Sequence, residues 1–153
     1  MLEEANPQAC AVGSTFDQTG NVAGQISSPP DTAALEQLID ERVDEMVSEC
    51  DSIILELDTS EYLDEAVLAL AKKYNKKVFA VVANMSIALE RRDFLQSIDC
   101  FVCNLQEAGM LFSMDYTGKT VDEMIDIISK NVTAAQIPSM IVTMGGAGAV
   151  YAD

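Results

Sequence analysis

Apolar residues recur along this chain in two alternating rhythms, short unbroken runs and longer stretches with a period near 3.6 residues, and that alternation predicts the fold class. The short runs fall at 53–57, 78–82, 98–102 and 140–143. They are too short for buried helices and rich in β-branched residues, as strands covered on both faces are. Between them lie helical stretches at 62–74, with Leu63, Val67 and Leu70 on one stripe, and at 86–96, 105–114 and 120–133. Strand and helix in regular succession imply right-handed crossovers and a mostly parallel sheet covered on both faces. This is an α/β, three-layer α-β-α architecture.

The first residues depart from that rhythm. Residues 9–16 and 22–27 flank the turn-rich pentad Asp17-Gln-Thr-Gly-Asn21, which predicts an N-terminal β-hairpin. Ser27-Ser-Pro-Pro-Asp31 breaks the pattern and caps a helix, on which Leu35, Leu38, Ile39, Val43, Met46, Val47 and Cys50 keep the helical period. The expected organisation is one domain over 1–153, with a hairpin segment at 1–27 and βα units over 31–153. At the other end, the apolar run before Thr143 opens into Gly145, Gly146 and Gly148 and closes into Ala149-Val-Tyr-Ala152, so a strand–turn–strand is expected there.

Composition narrows the partners. Nine basic against twenty-five acidic residues give a formal charge of −16, a field that repels DNA, RNA and anionic membrane surfaces. A small phosphate ligand is still compatible, since local N–H groups and a metal ion hold it. No apolar run approaches the roughly 20 residues of a membrane helix. Met1-Leu-Glu-Glu has none of the marks of a leader, and a cytoplasmic location is expected.

Cys100-Phe-Val-Cys103 matches a redox spacing, yet it lies in a predicted strand, where residues three apart face opposite ways. Both thiols are therefore read as core residues. The chain has no histidine, which excludes a Ser-His-Asp hydrolase within it.

Ligands of parallel sheets bind beyond the carboxyl ends of the strands. The residues there are Asp58 and Thr59, Ala83 and Asn84, Cys103 and Asn104, and 143–148. Asn104-Leu-Gln-Glu107 opens a helix and reads in two ways. Asn104 caps the helix, or Asn104 donates to a phosphate while Glu107 orients waters around Mg²⁺. Thr143-Met-Gly-Gly-Ala-Gly148 lacks the following helix that a dinucleotide fingerprint requires. It is either an ordinary hairpin turn or a nest of N–H groups for an anion. Asp58 fits a helix cap or an acceptor for sugar hydroxyls, and Arg91–Arg92 reads as a solvated helix face.

Taken in order, Leu55-Glu-Leu-Asp58, Val82-Ala-Asn84, the stretch from Asp99 through Asn104 and Glu107 to Ala108, and Ile141 through Thr143 and Gly148 to Tyr151 resemble the middle of the ribokinase-like, PfkB-type carbohydrate kinases. The pseudouridine-kinase-like and ribokinase-like members are the nearest in pattern. That family has an N-x-x-E motif after one strand and a T-x-G-x-x-G turn one long helix later, and Phe16-Asp-Gln-Thr-Gly-Asn-Val22 is similar to its early "D-x-x-G" segment. The resemblance implies ATP-dependent phosphorylation of a sugar or nucleoside hydroxyl. It implies that Asn104, Thr143, Gly145, Gly146 and Gly148 contact nucleotide phosphates, that Glu107 acts through Mg²⁺, and that Asp58 and Asn84 lie near the acceptor.

The family's later G-A-G-D motif, with its general base and anion hole, does not occur in this chain, and neither does the N-terminal part that supplies most sugar contacts. The expectation is a central, inactive piece of such a kinase that self-associates through uncovered edges and faces. Two other readings stay open: a non-catalytic α/β module that binds a nucleotide or a partner, and a flavodoxin-like or response-regulator-like domain. The second conflicts with the hairpin at the first strand and with Asn104 after the third crossover strand.

Overall fold

A computed structural model describes residues 11–16, 22–28, 33–57, 61–82 and 89–153. The chain divides into two compact units, Met1–Glu41 and Arg42–Asp153. The first holds the expected hairpin. Strands β1 (Ala11–Phe16) and β2 (Val22–Ser28) pair antiparallel, with a bulge between Thr15 and Phe16. The pentad expected to turn between them lies outside the described residues. Helix α1 (Ala33–Glu49) begins in this unit and ends in the next.

The second unit is built on a five-stranded sheet in the order β3 (Ser52–Glu56), β4 (Lys77–Val81), β5 (Cys100–Asn104), β6 (Met140–Thr143) and β7 (Ala149–Ala152). The first four strands are parallel and β7 is antiparallel to β6. Helices α2 (Glu61–Lys73), α3 (Arg92–Leu95), α4 (Leu105–Phe112) and α5 (Val121–Ala135) fill the connections. Acids in the first turn of α2 and lysines in its last turn match its dipole. Thr120 and Glu123 close a capping box on α5, and Gln136 ends it in a left-handed conformation. No described helix is long and apolar enough to cross a membrane.

The core sits against one face of the sheet. Leu55, Ala80, Phe101, Met140, Val142 and Val150 project from the strands into one cluster with Val67 of α2, Leu111 of α4, and Met124, Ile128 and Val132 of α5. Burying side chains of this size contributes about 1.5–3 kcal/mol each. Positions one residue away along each strand point to the opposite face, where Ile54 and Tyr151 are 78% and 57% exposed.

Three expectations shift. The strand expected at 98–102 runs from Cys100 to Asn104 because Asp99 is engaged ahead of it. The Asp99 N–H donates to the Val78 carbonyl, its carboxylate accepts the Val78 N–H at 2.8 Å, and its carbonyl accepts the Ser139 hydroxyl. The helix expected over 86–96 is interrupted at Arg91, whose φ of −115° and ψ of 51° leave the helical region; only the stretch from 89 onward is described. The helix starting at Leu105 stops at Phe112, where Ser113 turns left-handed at φ 55°.

Candidate functional site

Strand pairing brings the two motif segments together. In the parallel register of β5 and β6, Asn104 is the direct partner of Thr143, so both strands end at the same level of the sheet. α4 leaves from one and the glycine turn from the other. The Thr143 hydroxyl donates to the Cys103 carbonyl at 3.4 Å.

At the head of α4 the cap reading is realised in full. The Asn104 side-chain oxygen accepts the Glu107 N–H at 2.9 Å, and the Glu107 carboxylate accepts the Asn104 N–H at 2.7 Å. These contacts use one oxygen of each side chain. The amide NH₂ of Asn104 keeps its two donors, and Glu107 keeps its second carboxylate oxygen. Asn104 is exposed and Glu107 half-buried.

Beyond β6 the chain winds through a single 3₁₀ turn, Gly145–Ala147, before returning as β7. The Met144 N–H donates to the Gly148 carbonyl, the Ala147 N–H to Met144, and the Gly148 N–H to Gly145. The N–H groups of Gly145 and Gly146 have no backbone acceptor among the described residues. Gly145 and Gly148 have φ of 57° and 106°, values at which a side chain is strained. A Cβ at Gly145, Gly146 or Gly148 would meet no atom within 4 Å, so internal packing does not require these glycines. What they offer is two N–H donors without a backbone acceptor on exposed residues, as an anion nest has.

Directly below, Cys103 is buried and unpaired. Burial pushes its thiol far above the ordinary range, and the neighbouring Glu107 carboxylate adds to this. Cys100 is likewise buried and unpaired, so the C-x-x-C spacing is a pair of core residues. Asp58 and Asn84 lie outside the described residues. A cavity of about 500 Å³ lies along α4 and the loop after it, lined by Leu105, Gly109, Met110, Met114 and Tyr116. It does not include the glycine turn.

A donor set for a bare metal ion is missing: among the described residues no three Cys, Asp or Glu side chains gather to hold one. One carboxylate with an open oxygen fits a hydrated hard cation that arrives with phosphates, since Mg²⁺ keeps several waters.

Arg92 is exposed, as expected for a solvated helix face, but Arg91 is not. The Arg91 guanidinium donates to the carboxylate of Asp64 at 2.9 Å and lies over the Phe94 ring, while Arg92 donates to the Leu111 carbonyl. Asp64 is fully buried on α2. Its signal in the sequence is an acid on the stripe of Val67 and Ala71, three and seven residues on.

No family model matches the chain. It is 28% identical to a guanosine-inosine kinase of Exiguobacterium acetylicum over 138 residues, which are 90% of this chain and 45% of that protein. Among solved structures, the fold is similar to Arabidopsis thaliana ribokinase complexed with ribose and ATP, with a TM-score of 0.71 and 18% identity, over 95% of this chain and 46% of the ribokinase. It is also similar to Giardia lamblia ribokinase, with a TM-score of 0.72 and 12% identity, over 95% of this chain and 46% of that one. The chain thus spans about half the length of the relatives it matches.

Proposed function

We propose that this chain, a PfkB-type protein with the ribokinase-like fold, is the nucleotide-phosphate-binding part of an ATP-dependent kinase whose acceptor is a hydroxyl of a sugar or nucleoside. The observation that carries the reading is the register partnership of Asn104 and Thr143. It supports one phosphate site made from the head of α4 and the glycine turn. The likeness to a guanosine-inosine kinase and to a ribokinase bound to ribose and ATP supports the acceptor class and the donor.

In this reading the Gly145 and Gly146 N–H groups and the Asn104 amide donate to phosphate oxygens. These donors are fixed in place by the turn and the capping box, so little reorganisation accompanies binding. The open oxygen of Glu107 holds waters of a Mg²⁺ ion that, when bound, offsets phosphate charge. The resemblance gives the acceptor to Asp58 and Asn84, which lie outside the described residues.

Phosphoryl transfer also needs a group to accept the proton of the attacking hydroxyl. The G-A-G-D motif that supplies it in the resembled family is missing from this sequence, so the chain alone is expected to bind without turning over. The module reading shares the phosphate site and differs in having no acceptor.

Titrating isotope-labelled chain with MgADP tests the site. Amide resonances of Asn104, Glu107, Gly145 and Gly146 should move together, and a response confined to other residues would refute it. Incubation with MgATP and a panel of sugars and nucleosides should give no product, and turnover above background would overturn the missing-base argument. Guanosine or inosine shifting resonances near β3 and β4 would favour the kinase reading over the module.

A further inference from the structure

A single side chain fastens the glycine turn to the rest of the protein. Of the five residues from Met144 to Gly148, three are glycines and Ala147 is exposed, whereas Met144 is half-buried and packs against the core cluster. The hydrogen bonds of the turn are internal to it. The Met144 N–H reaches the Gly148 carbonyl at 2.8 Å, the Ala147 N–H the Met144 carbonyl at 3.2 Å, and the Gly148 N–H the Gly145 carbonyl at 3.1 Å. Bonds of this kind set the shape of a turn and leave its direction open. Its ends are held where the β6–β7 ladder stops, at the pair Thr143 and Ala149. Around Gly145, Gly146 and Gly148, a Cβ would meet nothing within 4 Å, so among the described residues no neighbour props the turn from outside.

We propose that Met144 is a positioning residue for the phosphate site, holding the N–H groups of Gly145 and Gly146 in line before a magnesium-bound nucleoside diphosphate arrives. The inference rests on the phosphate-site reading above and assigns to that site the side chain that pre-organises it. Glycine has more backbone freedom than any other residue. A glycine turn held only at its ends would therefore sample many directions, and ordering it on binding would oppose association. An apolar side chain seated against the core removes that freedom in advance.

Met144 directly precedes Gly145, so any shift of the anchor passes straight to the first donor. The role asks for length and an apolar surface, with no group that touches the ligand. Methionine meets both demands, being long, unbranched and able to follow an irregular gap. The level of the strand end is fixed separately, by the Thr143 hydroxyl on the Cys103 carbonyl. Thr143 thus sets where β6 stops, and Met144 sets which way the donors face.

Magnetic resonance of the intact, isotope-labelled chain tests this, first free and then titrated with MgADP. Met144→Ala shortens the anchor to a methyl group. The heteronuclear NOE of the Gly145 and Gly146 amides should fall in the free chain while the resonances of the sheet keep their dispersion, and the dissociation constant for MgADP should rise at least about tenfold. Met144→Leu conserves volume and should bring binding back to within about threefold of wild type. Met144→Val, apolar but shorter, should fall between the two and carries the same test where the alanine chain does not stay folded.

Val67→Ala, in the core on α2, lowers stability without touching the turn and should leave both readouts unchanged. A loss of binding that Val67→Ala shares would mark general destabilisation and refute the role of Met144. A wild-type chain with no MgADP response at Asn104, Glu107, Gly145 and Gly146 removes the phosphate site, and the positioning role with it. A wild-type response that Met144→Ala leaves equally tight overturns the role of Met144 alone and leaves the site standing.

Discussion

Replacing Arg91 by methionine should cost more stability than any substitution at an exposed ion pair of this protein. Asp64 and Arg91 meet at 2.9 Å with side chains 1% and 17% exposed. Removing one partner of a buried pair typically costs about 3–5 kcal/mol, because the remaining charge is desolvated and uncompensated. Asp64 has further polar contact, which places the expected loss near the low end, about 3 kcal/mol. Against a total stability of about 5–15 kcal/mol for a domain this is a large fraction. The exposed Asp44–Lys73 pair, 2.7 Å apart with both side chains more than half exposed, should be worth less than about 1 kcal/mol and fade with salt. Equilibrium urea denaturation at neutral pH, repeated at high salt, separates the two. Asp64→Leu combined with Arg91→Met should recover most of the single-variant loss, since an apolar pair leaves no buried charge. A loss under about 1 kcal/mol for Arg91→Met, or one that vanishes in salt, would show that the pair is solvated and the reasoning wrong.

The loop after α4 returns so closely that a Cβ on Gly109 would sit 2.7 Å from the Met114 carbonyl oxygen. Gly109→Ala should therefore destabilise by about 1–3 kcal/mol in the same assay, while Gly146→Ala, with open space and no positive φ, should change stability by less than about 0.5 kcal/mol. Acid should weaken the cap of α5. The Thr120 N–H, then the Lys119 ammonium and the Thr120 hydroxyl, hold the Glu123 carboxyl down to about 2 from an ordinary 4.5. The folded pKa is the lower one, so this contribution is present above pH 4.5 and disappears as pH falls through about 2. The melting-temperature gap between wild type and Glu123→Gln should close across that window, and a gap unchanged at its acid end would contradict the assignment. Alkylation of the native protein should spare Cys100 and Cys103, both buried, and rapid labelling of either would show that β5 opens far below the global stability.

Much of the fold could be read from the chain because strands that pack on both faces are written as unbroken apolar runs, and helices between them as periodic ones. β4 and β6 fall within a residue of expectation for that reason. The misses share a cause. Ile98 is apolar and core-buried, so pattern alone counts it as strand, whereas Asp99 hydrogen bonding to Val78 holds the chain out of the ladder until Cys100. Arg91 looks like surface until a partner 27 residues earlier is placed against it. Both outcomes depend on tertiary neighbours, and no local period encodes those. For the site, each motif was visible, but their meeting depends on the β5–β6 register. Nothing in either segment states that 104 pairs with 143.

The capping box and the phosphate site, which compete as readings of the sequence, are compatible in the structure. Capping consumes the Asn104 side-chain oxygen and one Glu107 oxygen, and an anion has no use for the first, since it needs donors. With the Asn104 oxygen held on the Glu107 N–H, the amide NH₂ keeps both donors for the proposed phosphate site. Asn104→Asp separates the two roles. It keeps the cap, because aspartate accepts the Glu107 N–H as well as asparagine does, but it replaces two donors with a negative charge. Helix stability should therefore hold while MgADP-induced shifts at Gly145 and Gly146 disappear. If those shifts persist in a folded Asn104→Asp chain, the amide does not face the phosphates, and the cap is the whole role of Asn104.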